Sequence, residues 1–165
     1  MKEPPIKGQG IKAKNGINIC SINISIKGIQ KHISRKVEVP CNFTLHSLHL
    51  VIRAAMGWQN CHLYEFKIGD KIFTRNPEKI PVFPELPGFP VYEDSESTYI
   101  NEIVLMGNST KIVYIYDFGD EWLHTVKIER VIPAVKDVYY PRCVAGKRAC
   151  PPEDSRGIYS YSHML

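Results

Sequence analysis

The residues of this chain that could do chemistry gather in one short stretch, Tyr116–His124. Around one tight turn it brings together the carboxylates Asp117, Asp120 and Glu121 and the imidazole of His124. Carboxylates and an imidazole together can hold a divalent metal ion that activates a water molecule. A metal-dependent hydrolase, for example a nuclease, would therefore be centred on Asp117, Asp120 and His124. The sequence assigns no catalytic residue beyond these candidates.

A second group of chemically active residues follows near the end of the chain. Cys143 and Cys150 are separated by six residues, and the acidic pair Glu153–Asp154 comes shortly afterwards. The two thiols, with His124, could bind a metal ion, although the two-residue spacing of zinc knuckles is absent. The alternatives are two buried thiols that pack as small apolar groups, or a loop held by salt bridges of Arg142. The sequence leaves these alternatives open.

The geometry of the acidic stretch depends on the register of a predicted hairpin. β-branched and aromatic residues precede a turn at 119–120, and an alternating pattern follows it, which predicts two antiparallel strands. A two-residue type II′ loop would pair Ile115 with His124 and place Asp117 diagonally beside His124 on one face. A three-residue loop would instead pair Tyr116 with His124 and put Asp117 on the opposite face. An Asp117–His124 pair therefore depends on the first register.

Other elements must support this hairpin. Alternating apolar residues predict strands at residues 20–26, 33–39, 62–68, 71–74, 112–116 and 122–131. Apolar residues at helical spacing predict a helix from the N-cap Thr44 to a stop at Gly57. His49 lies on the apolar stripe of this helix, and we interpret it as a hydrogen-bonded core histidine rather than a ligand. Arg35 falls on a buried strand face, where it must pair with an acid or lie at the rim.

Length and composition bound the class of protein. The chain has 165 residues, 44% hydrophobic and 23% charged, which suits one domain with a sizeable core. No apolar run approaches the roughly 20 residues of a membrane span, so no membrane partner is expected. The five cysteines form a loose pattern that favours a reduced, cytoplasmic protein over a disulfide framework.

Two segments are predicted to lie outside the packed core. Residues 1–36 carry eight Lys or Arg against one acid, and residues 1–16 are predicted to form a basic flexible arm that attracts nucleic acid. The alternative is a solvated tail followed by an edge strand with protective lysines. Residues 75–98 contain five prolines and form an excursion, which is a lid, a protein-binding loop or, as we prefer, a variable insertion. Residues 17–165 then form a single domain.

Four ordered motifs run through most of the chain. They are Thr44-Leu45 with Leu48-His49 and Ala55-Met56-Gly57-Trp58; His62-Leu63 with Glu65-Phe66; Tyr116-Asp117-Phe118-Gly119-Asp120 with Trp122 and His124; and Tyr140-Pro141-Arg142-Cys143 with Cys150-Pro151-Pro152-Glu153-Asp154. From about Ile24 to Tyr161, the chain resembles the plasmid pRiA ORF-three-like family, uncharacterised proteins often encoded on plasmids and near insertion sequences. The resemblance implies an α+β domain, a prokaryotic cytoplasmic origin and no established activity.

The chain also departs from the pattern of that family. Tyr64 stands where the family usually has a second histidine, and Arg156-Gly157 replaces Gly-Gly. Residues 31–36 read Lys-His-Ile-Ser-Arg-Lys in place of a Pro-Pro-Ile-Trp-Arg-Arg type of segment. The sequence ends at Leu165, where family members typically continue into a helical tail. A site that needs the missing histidine or the tail would be impaired here.

The order of elements predicts an α+β fold. We expect a mixed β-sheet of about six strands packed on one main helix, an arrangement that resembles a β-grasp. The candidate functional or structural residues are Asp117, Asp120, Trp122, His124, His62, Arg142, Glu153 and Asp154.

Three functional hypotheses follow from this reading. The first in rank is a non-catalytic binding or regulatory module for a protein or a nucleic acid. The second is a buried hydrogen-bonded network of Asp117, Trp122, His124 and Arg142 that fixes the hairpin. The third is the metal-dependent hydrolase, to which Glu153–Asp154 would add further ligands. The chain has no phosphate loop, nucleophile elbow or dinucleotide fingerprint, which argues against those classes of enzyme.

Overall fold

The computed structural model describes residues 11–12, 16–80, 87–107 and 110–163. The strands are β1 (Ile11–Lys12), β2 (Asn18–Ile26), β3 (Ser34–Pro40), β4 (Tyr64–Ile68), β5 (Lys71–Thr74), β6 (Val91–Asp94), β7 (Ile112–Tyr116), β8 (Trp122–Pro133), β9 (Tyr139–Tyr140) and β10 (Arg142–Lys147). The helices are α1 (Leu45–Met56), α2 (Ile100–Leu105) and α3 (Gly157–Ser162), with a 3-10 turn at Pro77–Lys79.

Eight of these strands form one mixed sheet in the order β10-β3-β2-β8-β7-β4-β5-β6. All neighbours are antiparallel except β5 and β6, which run parallel. The fold is therefore α+β, as predicted, but the sheet is larger than the expected six or so strands. The two additional strands are β6 and β10 at the edges of the sheet. Both lack the alternating pattern that reveals a half-buried strand. Strand β10, in particular, is exposed along its whole length. The β-grasp topology stays a prediction.

Helix α1 is the main helix, and its predicted ends are confirmed. The Thr44 side chain accepts a hydrogen bond from the Ser47 N–H, and Gly57 ends the helix with a left-handed φ of 87°. Leu48 and Ile52 of this helix are buried in the same hydrophobic cluster as the inward-facing residues of the sheet. Burying one large aliphatic side chain contributes about 2 kcal/mol, so this shared core fixes the helix on the sheet.

A disulfide joins β2 to the residue that follows β3. Cys20 and Cys41 are bonded across a Cα–Cα distance of 5.3 Å, and both are buried. The prediction that the cysteines are reduced is wrong for this pair, since strand pairing brings Cys20 and Cys41 to the same edge of the core. The remaining cysteines, Cys61, Cys143 and Cys150, are free.

Strand β10 is held by an arginine from β3. The guanidinium of Arg35 donates hydrogen bonds to the carbonyls of Ala55 at 3.0 Å and Arg148 at 2.9 Å. A Cβ on Gly146 would lie 3.1 Å from the Arg35 side chain, so this glycine admits the arginine. The Arg35 guanidinium is therefore hydrogen bonded to backbone carbonyls. The first of the two expectations, that it pairs with an acid, is not met among the described residues.

The two peripheral segments are only partly covered by the described residues. Within the predicted arm, Ile11–Lys12 form β1 and pair with Tyr139–Tyr140, while most of residues 1–16 lies outside the described part of the chain. Within the predicted excursion, β6 joins the sheet edge and residues 81–86 are not described. Among the described residues, no helix has the length and apolarity needed to cross a membrane.

Candidate functional site

The candidate site lies at the end of the sheet where three strand termini meet. Tyr64 at the start of β4 pairs with Tyr116 at the end of β7, and Tyr116 pairs with Trp122 at the start of β8. The segment before β4, the β7–β8 loop and the chain after Cys150 converge at this end. The C-terminal segment is fastened there by the indole N–H of Trp58, which donates to the Pro151 carbonyl at 2.9 Å.

Asp117 organises the β7–β8 loop. Its carbonyl accepts a hydrogen bond from the Glu121 N–H at 2.7 Å, and its Oδ1 accepts from the N–H groups of Gly119 at 2.9 Å and Asp120 at 3.3 Å. Both Asp117 and Glu121 have positive φ angles, 61° and 49°. The resulting register pairs Tyr114 with His124, which differs from both registers considered above. With Oδ1 engaged in the turn, Oδ2 of Asp117 is left to face another partner.

That partner is His62, whose Nε2 atom stands among three carboxylates. It lies 3.0 Å from Asp154 Oδ1, 3.5 Å from Asp117 Oδ2 and 3.9 Å from Glu153 Oε2. The His62 side chain is 28% exposed, while that of Asp117 is 10% exposed. One imidazole nitrogen has a single hydrogen to donate, so three carboxylates provide more acceptors than it can satisfy.

Glu153 is oriented by two donors, one from β7 and one from the segment before β4. Its Oε1 accepts hydrogen bonds from the Tyr116 hydroxyl at 2.7 Å and from the Gln59 N–H at 2.9 Å. Burial and the hydrogen bond to Glu153 raise the pKa of Tyr116 above its ordinary value, so this hydroxyl remains a donor at neutral pH. The second oxygen of Glu153 is thereby directed toward His62.

The donor atoms form two overlapping groups that could hold a metal ion. One group is His62, Asp117 and Asp154, and the other is Cys61, His62 and Glu153; within each, the donor atoms lie within 4.8 Å of one another. Zinc bonds of about 2.0 Å in tetrahedral geometry place ligand atoms about 3.3 Å apart. The distances of 3.0 and 3.5 Å from His62 Nε2 to Asp154 and Asp117 bracket this value.

Comparison with known proteins identifies the family. The family model described as "Plasmid pRiA4b ORF-3-like protein" matches residues 18–165. The chain belongs to the plasmid pRiA4b ORF-3-like family. The uncharacterized protein y4hQ of Sinorhizobium fredii (strain NBRC 101917 / NGR234) is 34% identical over 147 residues, which cover 89% of this chain and 71% of that protein.

A solved structure supports the same assignment. The crystal structure of the protein of unknown function MM3350 from Methanosarcina mazei Go1 matches with a TM-score of 0.78 and 33% sequence identity. The match covers 90% of this chain and 80% of that chain. Both relatives carry names without an activity, so the comparisons establish the family and the fold and assign no reaction.

The structure places His124 away from the cluster around His62. His124 is fully buried, its Nδ1–H donates to the Tyr114 carbonyl at 3.3 Å, and its ring packs edge-on against Trp58 at 5.4 Å. Its Nε2 has no hydrogen-bond partner among the described residues. Burial lowers the pKa of His124 to about 4. Asp117 therefore meets His62, and His124 belongs to the core.

Trp122 and Asp120 contact the C-terminal segment next to the site. Trp122 is 1% exposed, and its ring contacts those of Trp58 and Tyr161, each at 6.2 Å. The carbonyl of Asp120 touches the start of α3, because a Cβ on Gly157 would lie 2.8 Å from that oxygen. These contacts hold the C-terminal segment against the β7–β8 loop.

Arg142 and the two late cysteines lie in different surroundings. The guanidinium of Arg142 pairs with Glu38 through two contacts of 2.7 Å, across the β10–β3 ladder. Cys143 is exposed on β10, whereas Cys150 packs against Met56, with an Sγ–Sδ distance of 3.2 Å. No metal-binding group among the described residues contains Cys143, Cys150 or His124. Seven of the eight candidate residues thus divide between the His62 cluster, the aromatic core and the β10–β3 ladder, and Asp120 contacts the start of α3.

Sequence reasoning missed two members of the site, Cys61 and Tyr116. The signal for Cys61 was its position directly before His62, which places a thiol beside an imidazole. Tyr116 reads as an ordinary strand residue, and only the fold shows that its hydroxyl meets Glu153. Tyr64, where the family resemblance led us to expect a second histidine, is hydrogen bonded to His46 at 2.7 Å and lies in a separate buried network.

Proposed function

We propose that the chain is a non-catalytic binding module whose ligand is a divalent cation held by His62, Asp117 and Asp154. The observation that carries this proposal is the convergence of three carboxylates on one imidazole nitrogen, at 3.0, 3.5 and 3.9 Å. A divalent cation would satisfy the surplus oxygens and accept the neutral imidazole as a further ligand. Asp117 is poorly hydrated in the cluster, so the charge of its carboxylate benefits most from such an ion.

The origin of the ligands suggests what binding does. His62 precedes β4, Asp117 belongs to the β7–β8 loop, and Asp154 lies in the C-terminal segment. An ion shared by the three would tie the C-terminal segment to the end of the sheet. Leu63 and Phe118, which directly follow His62 and Asp117 in the chain, have exposed side chains. The ion would fix the positions of these two apolar side chains, which could then contact a protein partner.

The wider biological setting is part of the same proposal. The family name refers to a plasmid open reading frame, which supports a role connected with mobile elements in the prokaryotic cytoplasm. The basic arm at residues 1–16 supports a contact with nucleic acid, since Lys and Arg bind phosphates without reading sequence. A module that binds a partner at one end and nucleic acid through the arm would be regulatory.

Metal binding can be tested by titration calorimetry with Zn²⁺ and Mn²⁺ after chelator treatment. The wild-type chain should bind about one equivalent, and His62→Ala and Asp117→Asn should weaken binding at least about 10-fold. Asp117→Asn keeps the Oδ1 acceptor of the turn and removes the charge, so it separates ligation from folding. The matched control is His32→Ala, which removes an exposed histidine elsewhere. Absence of binding by the wild-type chain would refute the proposal.

A second candidate function is metal-dependent hydrolysis, favoured by the position of Glu153. Its Oε2 lies 3.9 Å from His62 Nε2, so an ion bound by His62 would have this carboxylate nearby as a base for a water molecule that the ion would activate. The centre then shifts from Asp117, Asp120 and His124 to His62, Asp117 and Asp154, with Glu153 as the base. Cleavage of bis(p-nitrophenyl) phosphate with Mn²⁺ or Zn²⁺ should be lost in Glu153→Gln while metal binding persists. No cleavage by the metal-loaded wild-type chain would leave the binding module alone.

A further inference from the structure

A free thiol lies beside the proposed cation site. Cys61 is exposed, directly precedes His62, and has its Sγ within 4.8 Å of donor atoms of His62 and Glu153. His62 is common to this group and to the group that contains Asp117 and Asp154. An ion bound to the His62 imidazole therefore has two alternative sets of further ligands, a thiol with one carboxylate or two other carboxylates.

The identity of the donors decides which ions a site retains. Oxygen ligands alone suit Mg²⁺ and Ca²⁺, which are hard cations, whereas thiolate and imidazole suit Zn²⁺ and similar transition metals. A site of one sulfur, one nitrogen and one carboxylate oxygen matches the ligand types of tetrahedral zinc. Such a set of three protein ligands also leaves the fourth position of a tetrahedral ion open.

The environment of Glu153 makes the thiol-containing group well organised. Glu153 is held by hydrogen bonds from Tyr116 and Gln59, and Gln59 lies only two residues before Cys61. The same short segment thus supplies the thiol and the imidazole and also fixes the carboxylate. This arrangement resembles the support that hydrogen bonds give to ligands in metal sites, where the supporting groups orient the ligands.

We propose that the cation site is selective for zinc-class transition metals because such an ion, bound to the shared ligand His62, is coordinated by the Cys61 thiolate and Glu153. Harder cations bound to His62 take Asp117 and Asp154 instead. The proposal rests on the proposed function, since it names the class of cation that the module binds. On coordination, the Cys61 thiol releases its proton to solvent and the sulfur lone pair forms the bond to the ion. Asp117 and Asp154, which share His62 with this group, then offset the charge of the ion.

The test is a Co²⁺ titration of the chain, with the free thiols of Cys61, Cys143 and Cys150 protected from oxidation, followed by absorption spectroscopy. Co²⁺ is the probe because a cobalt–thiolate bond produces a near-ultraviolet charge-transfer band that oxygen and nitrogen ligands do not produce. The wild-type chain should show this band, and Cys61→Ser should lack it. The matched control is Cys143→Ser, because Cys143 is also exposed but lies on β10, and it should retain the band.

Competition with zinc measures the selectivity. Cys61→Ser should bind Zn²⁺ at least about 10-fold more weakly than the wild-type chain, and its preference for Zn²⁺ over Mn²⁺ should fall, because Mn²⁺ favours oxygen ligands. A Co²⁺ complex without the charge-transfer band, or a Zn²⁺ affinity equal in Cys61→Ser and wild type, would overturn the role of Cys61 but leave the cation site intact. If the wild-type chain binds none of these ions, both proposals fail. Circular dichroism of Cys61→Ser verifies that the variant folds.

Discussion

Two histidines lie near the ring of Tyr116 and are surrounded by opposite kinds of partner. The ring centroids of His49 and His62 lie 6.2 and 5.8 Å from that of Tyr116. His49 is 1% exposed, its Nε2–H donates to Asn60 Oδ1 at 2.7 Å, and its Nδ1 accepts from the Tyr114 hydroxyl at 2.8 Å. His62 instead has three carboxylates around one nitrogen.

The difference shows how a structural histidine is told from a candidate ligand. In His49 each ring nitrogen has one neutral partner, so a neutral imidazole satisfies all of its hydrogen-bonding capacity. Burial lowers the pKa of His49 to about 3, which keeps it neutral. At His62 three carboxylate acceptors surround one nitrogen, an excess of negative charge that the proposed cation would offset. The prediction that His49 is a hydrogen-bonded core residue is thus confirmed.

The largest effect is expected when the buried histidine is removed. His49→Ala would leave a cavity and would also leave the Tyr114 hydroxyl and the Asn60 amide without their partner. We expect the free energy of unfolding to fall by about 3 kcal/mol or more, and the melting temperature by roughly 6–12 °C. Urea denaturation measures the loss. A change as small as that of the exposed control His32→Ala would contradict the structural role of His49.

Acid should lower the free energy of unfolding through the two buried histidines, His49 and His124. His49 and His124 have folded-state pKa values of about 3 and about 4, below the ordinary 6.5. The unfolded chain therefore binds more protons, so stability is fully present above about pH 6.5 and is lost as pH falls toward the folded values. Each histidine should contribute a slope of about 1.4 kcal/mol per pH unit.

A variant can isolate one of these two slopes. In His124→Gln, the free energy of unfolding between pH 6 and pH 5 should decline less steeply than in the wild-type chain, by about 1.4 kcal/mol per pH unit. Urea denaturation at several pH values gives both slopes. Equal slopes in the two proteins would show that His124 titrates alike in the folded and unfolded chains.

A moderate effect is expected where the C-terminal segment meets the site. Gly157 has a φ of 75°, and a Cβ there would lie 2.8 Å from the Asp120 carbonyl. Gly157→Ala should lower the free energy of unfolding by about 2 kcal/mol and weaken cation binding, because Asp154 moves with this segment. The control is Gly88→Ala, which has a φ of 87° but no atom within 4 Å of the added carbon. Equal losses in both variants would attribute the cost to backbone conformation alone.

The sequence predicted the elements whose signals are local. Thr44 and Gly57 marked both ends of α1 because a cap and a left-handed stop are properties of single residues. The predicted hairpin register was wrong because Asp117 and Glu121 adopt positive φ angles, which their residue types do not indicate. Helix α2 was not among the predicted elements, since its six residues are too few for a clear helical period.

The site itself was only partly predictable from the sequence. The sequence named His62, Asp117, Glu153 and Asp154 as candidates, but it could not bring them together, because His62 and Asp154 are 92 positions apart. It paired Asp117 with His124, which is near it in the chain, whereas the structure places His62 beside Asp117. Proximity along the chain was misleading because strand alternation turns His124 into the core.

The smallest effect on stability should follow removal of the exposed histidine, and this result would complete the contrast with His49. With chelator present, His62→Ala should change the free energy of unfolding by no more than about 0.5 kcal/mol, since a partly exposed side chain leaves no cavity. Zn²⁺ at about 100 times its dissociation constant should stabilise the wild-type chain by about 2.7 kcal/mol. His62→Ala should gain little from the same Zn²⁺ concentration.

The stabilities of the wild-type chain and of His62→Ala, each measured in chelator and in Zn²⁺, separate a ligand from a structural residue. A large loss of unfolding free energy in His62→Ala with chelator present would show that His62 is a structural residue like His49. An equal stabilisation of His62→Ala and the wild-type chain by Zn²⁺ would show that the ion binds at another site. His49→Ala should show the reverse pattern, with a large loss in chelator and an undiminished response to Zn²⁺, because its partners Tyr114 and Asn60 belong to neither donor group. Opposite outcomes at two histidines near one tyrosine would show that the balance of donors and acceptors, rather than residue type, decides which of them binds a cation.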